Sequence, residues 1–306
     1  MLMLQRIYKI RIKWLSFFTS PFFFLNAKNA IACASCLCGD PTLTTMGVEK
    51  PFPGRTRVGV EYLSRSETSG TKNIDQHAIE EERMTYHFSY APSKTWMFAA
   101  SLPMITKSVD RFDHSSEQGS GVGDIDLSAR WFIGQSASII NKHLWGAHFG
   151  VRLPTSQEET INGRAINFDA QPSAGALTHS LGLWFGEYQR PWFFYGSAIM
   201  QHASAAGYQG YEAGDALLVT LQAQYALHPK LAIQAGLDSR WKRQDQYNDE
   251  TDENSGGALM MTSIGLAWSP FTDWLININV QDPTIENSHG MQKENTAVRA
   301  GVTYDF

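Results

Sequence analysis

The chain alternates apolar and polar residues with a period of two over most of its length. In residues 217–227 the odd positions are apolar, while the even positions from Thr220 to Gln224 are polar. Successive side chains of a β-strand point to opposite faces, so this segment predicts a strand with one apolar face. Similar alternation predicts twelve strands in all, near residues 56–65, 83–90, 95–107, 124–131, 145–153, 172–186, 191–202, 217–227, 231–242, 258–269, 274–281 and 295–306.

The connections between these segments alternate between short and long. Short ones fall at residues 92–95, 134–142, 187–190, 228–230 and 269–272, and long polar ones at 66–80, 108–120, 155–170, 203–213, 245–257 and 283–294. A soluble sandwich gives no reason for this alternation, whereas membrane barrels combine short periplasmic turns with long external loops and an even strand number. We therefore predict an all-β fold, a transmembrane antiparallel up-and-down β-barrel over residues 55–306, with both termini periplasmic.

The first 32 residues have a different character. Four basic residues and no acidic ones lie within residues 1–13, and an apolar run from Trp14 to Leu25 follows, interrupted by Pro21. This run is shorter than the roughly 20 residues that a membrane-spanning helix needs. Ala30-Ile-Ala32 then supplies a small-x-small cleavage signal. Residues 1–32 are therefore predicted to be a cleaved signal peptide, and the expected location is the bacterial outer membrane.

Composition sharpens this interpretation through charge. The whole chain is 43% hydrophobic, 12% aromatic and 18% charged, with a formal charge of −5, which gives no support for a nucleic-acid partner. Cleavage after Ala32 removes five basic residues and no acidic one, which leaves 20 basic and 30 acidic residues and a formal charge of −10. Tryptophans near the predicted strand ends favour interfacial girdles: Trp96, Trp131, Trp145, Trp192, Trp241, Trp268 and Trp274.

The three cysteines all lie in residues 33–54, which we predict to be a periplasmic segment before the barrel. Cys33, Cys36 and Cys38 could bind a soft metal such as Cu(I) or zinc, or two of them could form a disulfide. The sequence before Cys33 also resembles a degenerate lipobox, in which case Cys33 would be the acylated first residue, while cleavage after Ala34 would delete that cysteine. A structural or incidental role of the three cysteines is a further alternative. No His follows the Cys-x-x-Cys spacing, so c-type haem is excluded. No other cofactor is expected.

The polar faces of the predicted strands supply candidates for a lumen. Twelve strands tilted by about 40° enclose a lumen roughly a nanometre wide. Charges of opposite sign across such a lumen could screen solutes, or could neutralise one another and close it. The lumen-facing candidates are Arg83, His87, Asp124, Asp126, Arg130, His148, Arg152, Asp238, Arg240 and Arg299, alongside Arg57, Glu61, Lys242 and Asp305.

Two motifs resemble known families. The last predicted strand places Val302, Tyr304 and Phe306 on one face and stops at Phe306, which resembles the signal that the barrel assembly machinery reads in outer-membrane proteins. Residues 121–130, GVGDIDLSAR, resemble a family of outer-membrane transporters associated with the meta-pathway of phenol degradation. That resemblance implies a barrel transporter or porin, with no established substrate. We therefore expect a channel for small solutes whose partners are outer-membrane lipid, lipopolysaccharide and the solute.

Other functions remain open from the sequence. A closed barrel could act as a scaffold or sheath for a periplasmic metal-binding or electron-transfer protein that contacts residues 33–50. His202 and Ser204 have the spacing that resembles outer-membrane phospholipases, but the Asn expected next is Ala205, so we do not predict an enzyme. The acidic residues 245–253 form a solvated loop, or bind calcium, or bridge to lipopolysaccharide through divalent ions.

Overall fold

The computed structural model describes residues 54–70, 76–137, 141–289 and 292–306. The predicted signal peptide and nearly all of the cysteine segment lie outside these residues. The predictions made for residues 1–32 and for Cys33, Cys36 and Cys38 therefore stay predictions.

Twelve long strands make up the body of the protein, and two of them are interrupted. Strand β4 breaks at Gly123 and Asp124, and a two-residue extension precedes β12. The strands are β1 (Thr56–Ser69), β2 (His77–Tyr90), β3 (Trp96–Arg111), β4 (Ser116–Val122 and Ile125–Ala137), β5 (Asn141–Leu153), β6 (Thr178–Gln189), β7 (Trp192–Ala203), β8 (Ala216–His228), β9 (Leu231–Lys242), β10 (Gly257–Trp268), β11 (Trp274–Ser288) and β12 (Lys293–Glu294 and Ala297–Asp305).

The sheet closes on itself. Each strand pairs antiparallel with its neighbour in the chain, and β12 pairs with β1 from Arg57 opposite Asp305 to Ser64 opposite Val298. Closure satisfies the backbone hydrogen bonds of both terminal strands, which would otherwise form open edges. The predicted twelve-stranded antiparallel up-and-down barrel is confirmed. Among the described residues, no helix is long and apolar enough to cross a membrane.

Burial in the barrel is the reverse of that in a soluble protein. In β2 the buried side chains include Glu81, Arg83 and His87, while Tyr86 and Phe88 are exposed. Large apolar side chains are exposed on every strand, including Tyr62, Phe88, Phe98, Leu127, Phe149, Leu183, Met200, Leu221, Leu237, Ile264, Ile278 and Val298. Because an exposed apolar surface of this extent is unfavourable in water, the outer wall is suited to hydrocarbon.

Several strands extend further than the sequence indicated. The loop predicted at residues 108–120 is mostly strand, with a turn only at 112–115, and much of the connection predicted at 134–142 is also strand. Above a bilayer, strands no longer need apolar outward residues, so their polar extensions look like loops in sequence. The opposite error occurs at residues 172–177, which belong to a loop and not to the predicted strand 172–186.

The start of β1 and the end of β12 meet where the barrel closes, on the same side as the short turns. The carboxylate of Asp305 accepts hydrogen bonds from Arg57 and from Arg55, with a distance of 2.5 Å between Arg55 Nη2 and Asp305 Oδ2. Tyr304 lies 5.1 Å from Trp274 and 4.7 Å from Phe306, measured between ring centroids. The predicted assembly-signal residues thus form part of an aromatic cluster at the short-turn rim.

Candidate functional site

A cluster of charged side chains lies on the inner wall of β1, β2, β3 and β12. Arg65 Nη2 donates to Glu81 Oε2 at 2.7 Å, Arg65 Nη1 lies 3.5 Å from Glu294 Oε1, and Arg83 also pairs with Glu81. Lys107 lies opposite Glu81 in the β2–β3 register and is 6% exposed. No residue of the described chain hydrogen-bonds or ion-pairs with its ammonium group within 4.0 Å. Lys107 is therefore a buried cation of this wall that has no direct hydrogen-bond or ion-pair partner among the described residues.

Nine of the ten lumen candidates lie in strands, and Asp124 lies in the break of β4. Eight of the ten are buried, whereas Asp126 and Arg152 are partly buried and pair with each other at 3.2 Å. The two histidines each bond a serine of a neighbouring strand, through His87 Nδ1 to Ser101 Oγ at 2.9 Å and His148 Nε2 to Ser180 Oγ at 3.2 Å. The buried candidates are Arg83, His87, Asp124, Arg130, His148, Asp238, Arg240 and Arg299.

A second part of the inner wall, on β8 to β11, is rich in amide side chains. The carboxylate of Asp238 accepts hydrogen bonds from Thr220 Oγ1 at 2.8 Å and from Gln281 Nε2 at 3.0 Å. Around it a cavity is lined by Gln222, Gln234, Ser263, Asn277, Asn279 and Arg299. Groups of this kind exchange hydrogen bonds with water and with hydrated solutes at little electrostatic cost.

A third part of the inner wall is apolar, and the sequence analysis missed it. Trp184 packs edge-on against Phe132 with ring centroids 4.7 Å apart, and its indole nitrogen donates to the Ala147 carbonyl. The rest of this cluster comes from Leu144, Phe193, Tyr195, Ile199 and Leu218. At several of these positions the next residue is also apolar, so the alternation disappears. That loss of period was the available signal, because a strand with two apolar faces must bury one of them.

These side chains fill much of the interior. Leu144, Tyr195 and Arg240 are each about 1% exposed, although all three lie on the inner face. Buried inner side chains of this size therefore occupy part of the roughly nanometre-wide lumen that strand number and tilt predict. Passage through the barrel needs small solutes or movement of inner side chains and loops.

The loop of residues 154–177 folds inward at the long-loop end. Ile166 and Ala170 pack against Ile79 and Val109 on the inner faces of β2 and β3. The loop also bonds the edge of β4, where Ser120 N donates to Glu159 Oε2 at 2.6 Å and Asn167 N donates to Glu117 Oε1 at 2.9 Å. We name residues 154–177 the constriction loop, because they occupy the mouth of the barrel.

Asp124 anchors the constriction loop at both ends. Its Oδ1 accepts from the backbone N–H and hydroxyl of Ser156, at 3.1 and 2.7 Å. Its Oδ2 accepts from Ser173 Oγ at 2.6 Å and from the N–H of Gly175 at 3.0 Å. Asp124 lies in the break of β4, within the GVGDIDLSAR motif. Its four hydrogen bonds explain why this break and this carboxylate occur together.

Two further loops cover the constriction loop. Tyr208 donates its hydroxyl to the Ser156 carbonyl at 2.5 Å, and Phe168 packs against Tyr211 with ring centroids 4.3 Å apart and ring planes tilted by 30°. Lys242 pairs with Asp245 at 2.5 Å, and both side chains are almost fully buried. Asp245 is therefore occupied inside the protein, and no group of residues suited to hold a metal ion occurs among the described residues.

His202 and Ser204 lie at the rim of the outer wall, on the face that also carries Met200. His202 Nδ1 lies 2.6 Å from Asp215 Oδ1, while Ser204 Oγ lies 3.0 Å from His179 Nε2. A serine–histidine–acid relay needs the serine and the carboxylate on one imidazole. Here they bond two different histidines, so this geometry does not form the relay.

Comparison with solved structures shows which known proteins share this fold. The chain superimposes on an outer-membrane channel from Pseudomonas putida F1 with a TM-score of 0.64 and 13% sequence identity, covering 85% of this chain and 98% of that one. The chain shares the fold of this outer-membrane channel. Similarity is weaker to the translocator domain of the autotransporter NalP from Neisseria meningitidis, with a TM-score of 0.49, 12% identity and coverage of 85% and 91%. No family model and no curated protein matches the chain.

Proposed function

We propose that this protein is an outer-membrane channel for small solutes. The observation that carries the proposal is the reversed burial of a closed barrel, with apolar side chains outside and charged and amide side chains inside. A wall of this kind is stable in a bilayer because closure pairs the first strand with the last. Ionisable residues inside such a barrel are costly unless they serve a pathway or neutralise one another. The similarity to a known outer-membrane channel supports the same function.

Conductance is the direct test. Full-length protein, folded in detergent and checked by its heat-dependent shift on a gel, is inserted into planar bilayers and into liposomes. We expect discrete current steps and swelling in small solutes such as glycine, with exclusion of larger sugars because the interior is narrow. The same sample after heat denaturation is the control. Folded protein that gives neither steps nor swelling would contradict the proposal.

We further propose that the short turns and both termini face the periplasm and that the long loops face the exterior. Short periplasmic turns and long external loops are usual for this class of barrel. An epitope inserted at Asp249, on a long loop, should be detected by antibody on intact cells, whereas the same epitope at Lys94, on a short turn, should need permeabilised cells. The reverse result would invert the orientation. Contact with lipopolysaccharide, folding by the barrel assembly machinery and membership of the phenol meta-pathway transporters belong to the same proposal.

A closed barrel that serves as a scaffold is the competing function. It depends on residues 33–50, which lie outside the described residues. Deletion of residues 33–50 distinguishes the two: transport should survive the deletion if the barrel is a channel, whereas a scaffold should lose its co-purifying periplasmic partner. Hydrolysis is not proposed, because Ser204 and Asp215 bond different histidines.

A further inference from the structure

A cavity lies between the inner wall and the constriction loop. Its enclosed space is about 60 Å³, and it opens to solvent. Its cationic half is the set of side chains Arg83, Lys107 and Arg152, and its apolar half is the set Pro103, Ile105, Phe168, Pro172, Ala174 and Ala176. The lining also includes Asp124 and the polar side chains of Gln171, Ser173, Thr178 and Tyr211.

The cationic half has unused capacity for an anion. Lys107 is buried and makes no hydrogen bond or ion pair within 4.0 Å to any residue the structure describes. The Nε atom of Arg83 is likewise buried without a hydrogen-bond partner. A cationic side chain that is mostly buried and has no direct partner is costly, and its usual compensation is a bound anion or a paired carboxylate.

The nearby carboxylates are already engaged. Glu81 is shared by Arg65 and Arg83, and Asp126 pairs with Arg152. Asp169, whose charge acts on Lys107 as that of Glu81 does, lies 3.7 Å from His77. The carboxylate of Asp124, which also lines the cavity, accepts four hydrogen bonds from the constriction loop. Lys107 therefore has no carboxylate of its own in direct contact, and the cavity combines positive charge with an apolar surface.

We propose that this cavity binds small monocarboxylates that carry an apolar body. Lys107 and Arg83 hold the carboxylate, while Phe168, Pro103 and Ile105 contact the apolar part. The inference rests on the proposed channel function, for which it names a class of solute. A neutral molecule of the same shape lacks the charge that Lys107 requires, and a dicarboxylate would bury a second anion against the apolar half.

Binding of benzoate and of benzamide, its neutral near-isostere, to the folded full-length protein provides the test. Titration calorimetry in detergent should show benzoate binding at least tenfold more tightly than benzamide. Lys107→Met should abolish this preference, whereas Lys94→Met, which removes an exposed cation on a short turn, should keep it. Phe168→Ala should weaken benzoate at least fivefold while changing acetate binding little, because acetate has almost no apolar body.

The outcomes separate this site from the channel function. Equal binding of benzoate and benzamide, or no binding of either, to protein that conducts would overturn the site and leave the channel intact. Binding that depends on Lys107 in protein that does not conduct would support the site and refute the channel. If Lys107→Met fails to fold, the ratio of the benzoate and benzamide affinities of the unmodified protein still tests the site, since that measurement needs no variant.

Discussion

Asp124→Ala should release the constriction loop. The carboxylate of Asp124 is 3% exposed and accepts four hydrogen bonds from Ser156, Ser173 and Gly175. The two hydroxyl donors can turn to water, but the two backbone N–H groups lose a fixed acceptor. At about 1.5 kcal/mol for each hydrogen bond to a charged acceptor, the loss is about 3 kcal/mol. Since 1.4 kcal/mol is a factor of ten, the population with a released loop rises by about 100-fold.

Two measurements detect the release of the constriction loop. Single-channel conductance should increase, because the loop no longer occupies the mouth. Trypsin should cut faster after Arg164, which is the single basic residue of the constriction loop, because cleavage of a folded loop tracks the population of its open form. Asp124→Asn should be intermediate, since its amide keeps one acceptor and turns an NH₂ group toward the other donors.

Asp126→Ala provides the matched control. This residue lies two positions along the same strand, but it pairs with Arg152 on β5. It should leave the rate of cleavage at Arg164 unchanged. If Asp124→Ala shows the conductance and the trypsin resistance of the unmodified protein, the anchoring role assigned to Asp124 is wrong.

Three further predictions concern the loops and the closure of the barrel. Gly119→Val should also speed cleavage of the constriction loop, because a Cβ there would lie 2.2 Å from a loop carbonyl oxygen; Gly121→Ala, with 3.4 Å available, should not. Asp305→Ala should lower the temperature of the gel shift, because Arg57 and Arg55 lose the Asp305 carboxylate while Arg55 keeps Asp273 at 3.8 Å; the loss is about 2 kcal/mol, and an unchanged transition would refute this. Burial raises the pKa of Asp252, so its contribution to loop stability is complete below the ordinary carboxyl pKa and is lost as pH rises through the raised value. Hydrogen exchange in residues 243–256, corrected for intrinsic rates, should therefore be slower at about pH 4 than at about pH 7; Asp252→Asn should remove this difference and Asp249→Asn should keep it.

The outer wall could be predicted from sequence because one physical force controls it. Each outward position, such as Phe88 or Leu221, faces the same apolar surroundings, so the choice of residue repeats every second position. The strand number and the closed barrel followed from that repeat and from the alternating connections. The pattern does not predict the strand ends, because polar extensions such as Ser116–Val122 carry no lipid-facing signal.

The interior depends on contacts between residues far apart in the chain. Ile166 and Ala170 look like ordinary members of a polar loop until the barrel places them against Ile79 and Val109. Asp124 was recognised as a polar residue of the inner face, but its partners Ser156 and Ser173 are more than 30 residues away. Lys107 lies at the end of a predicted strand, and the sequence pattern there does not predict that its side chain is buried. These contacts cannot be predicted from the sequence pattern, because they depend on the path that the loop takes in the folded barrel.

The ion-paired junction between β1 and β12 also constrains how this protein is made. Asp305 and Arg57 are separated by 248 positions, so β1 and β12 cannot pair until both ends of the barrel sequence are present. Before that moment each terminal strand exposes a row of unpaired N–H and C=O groups, which hydrocarbon cannot solvate. Closure of the barrel and its insertion into the bilayer must therefore occur together, because hydrocarbon does not solvate the open edges of an unclosed sheet.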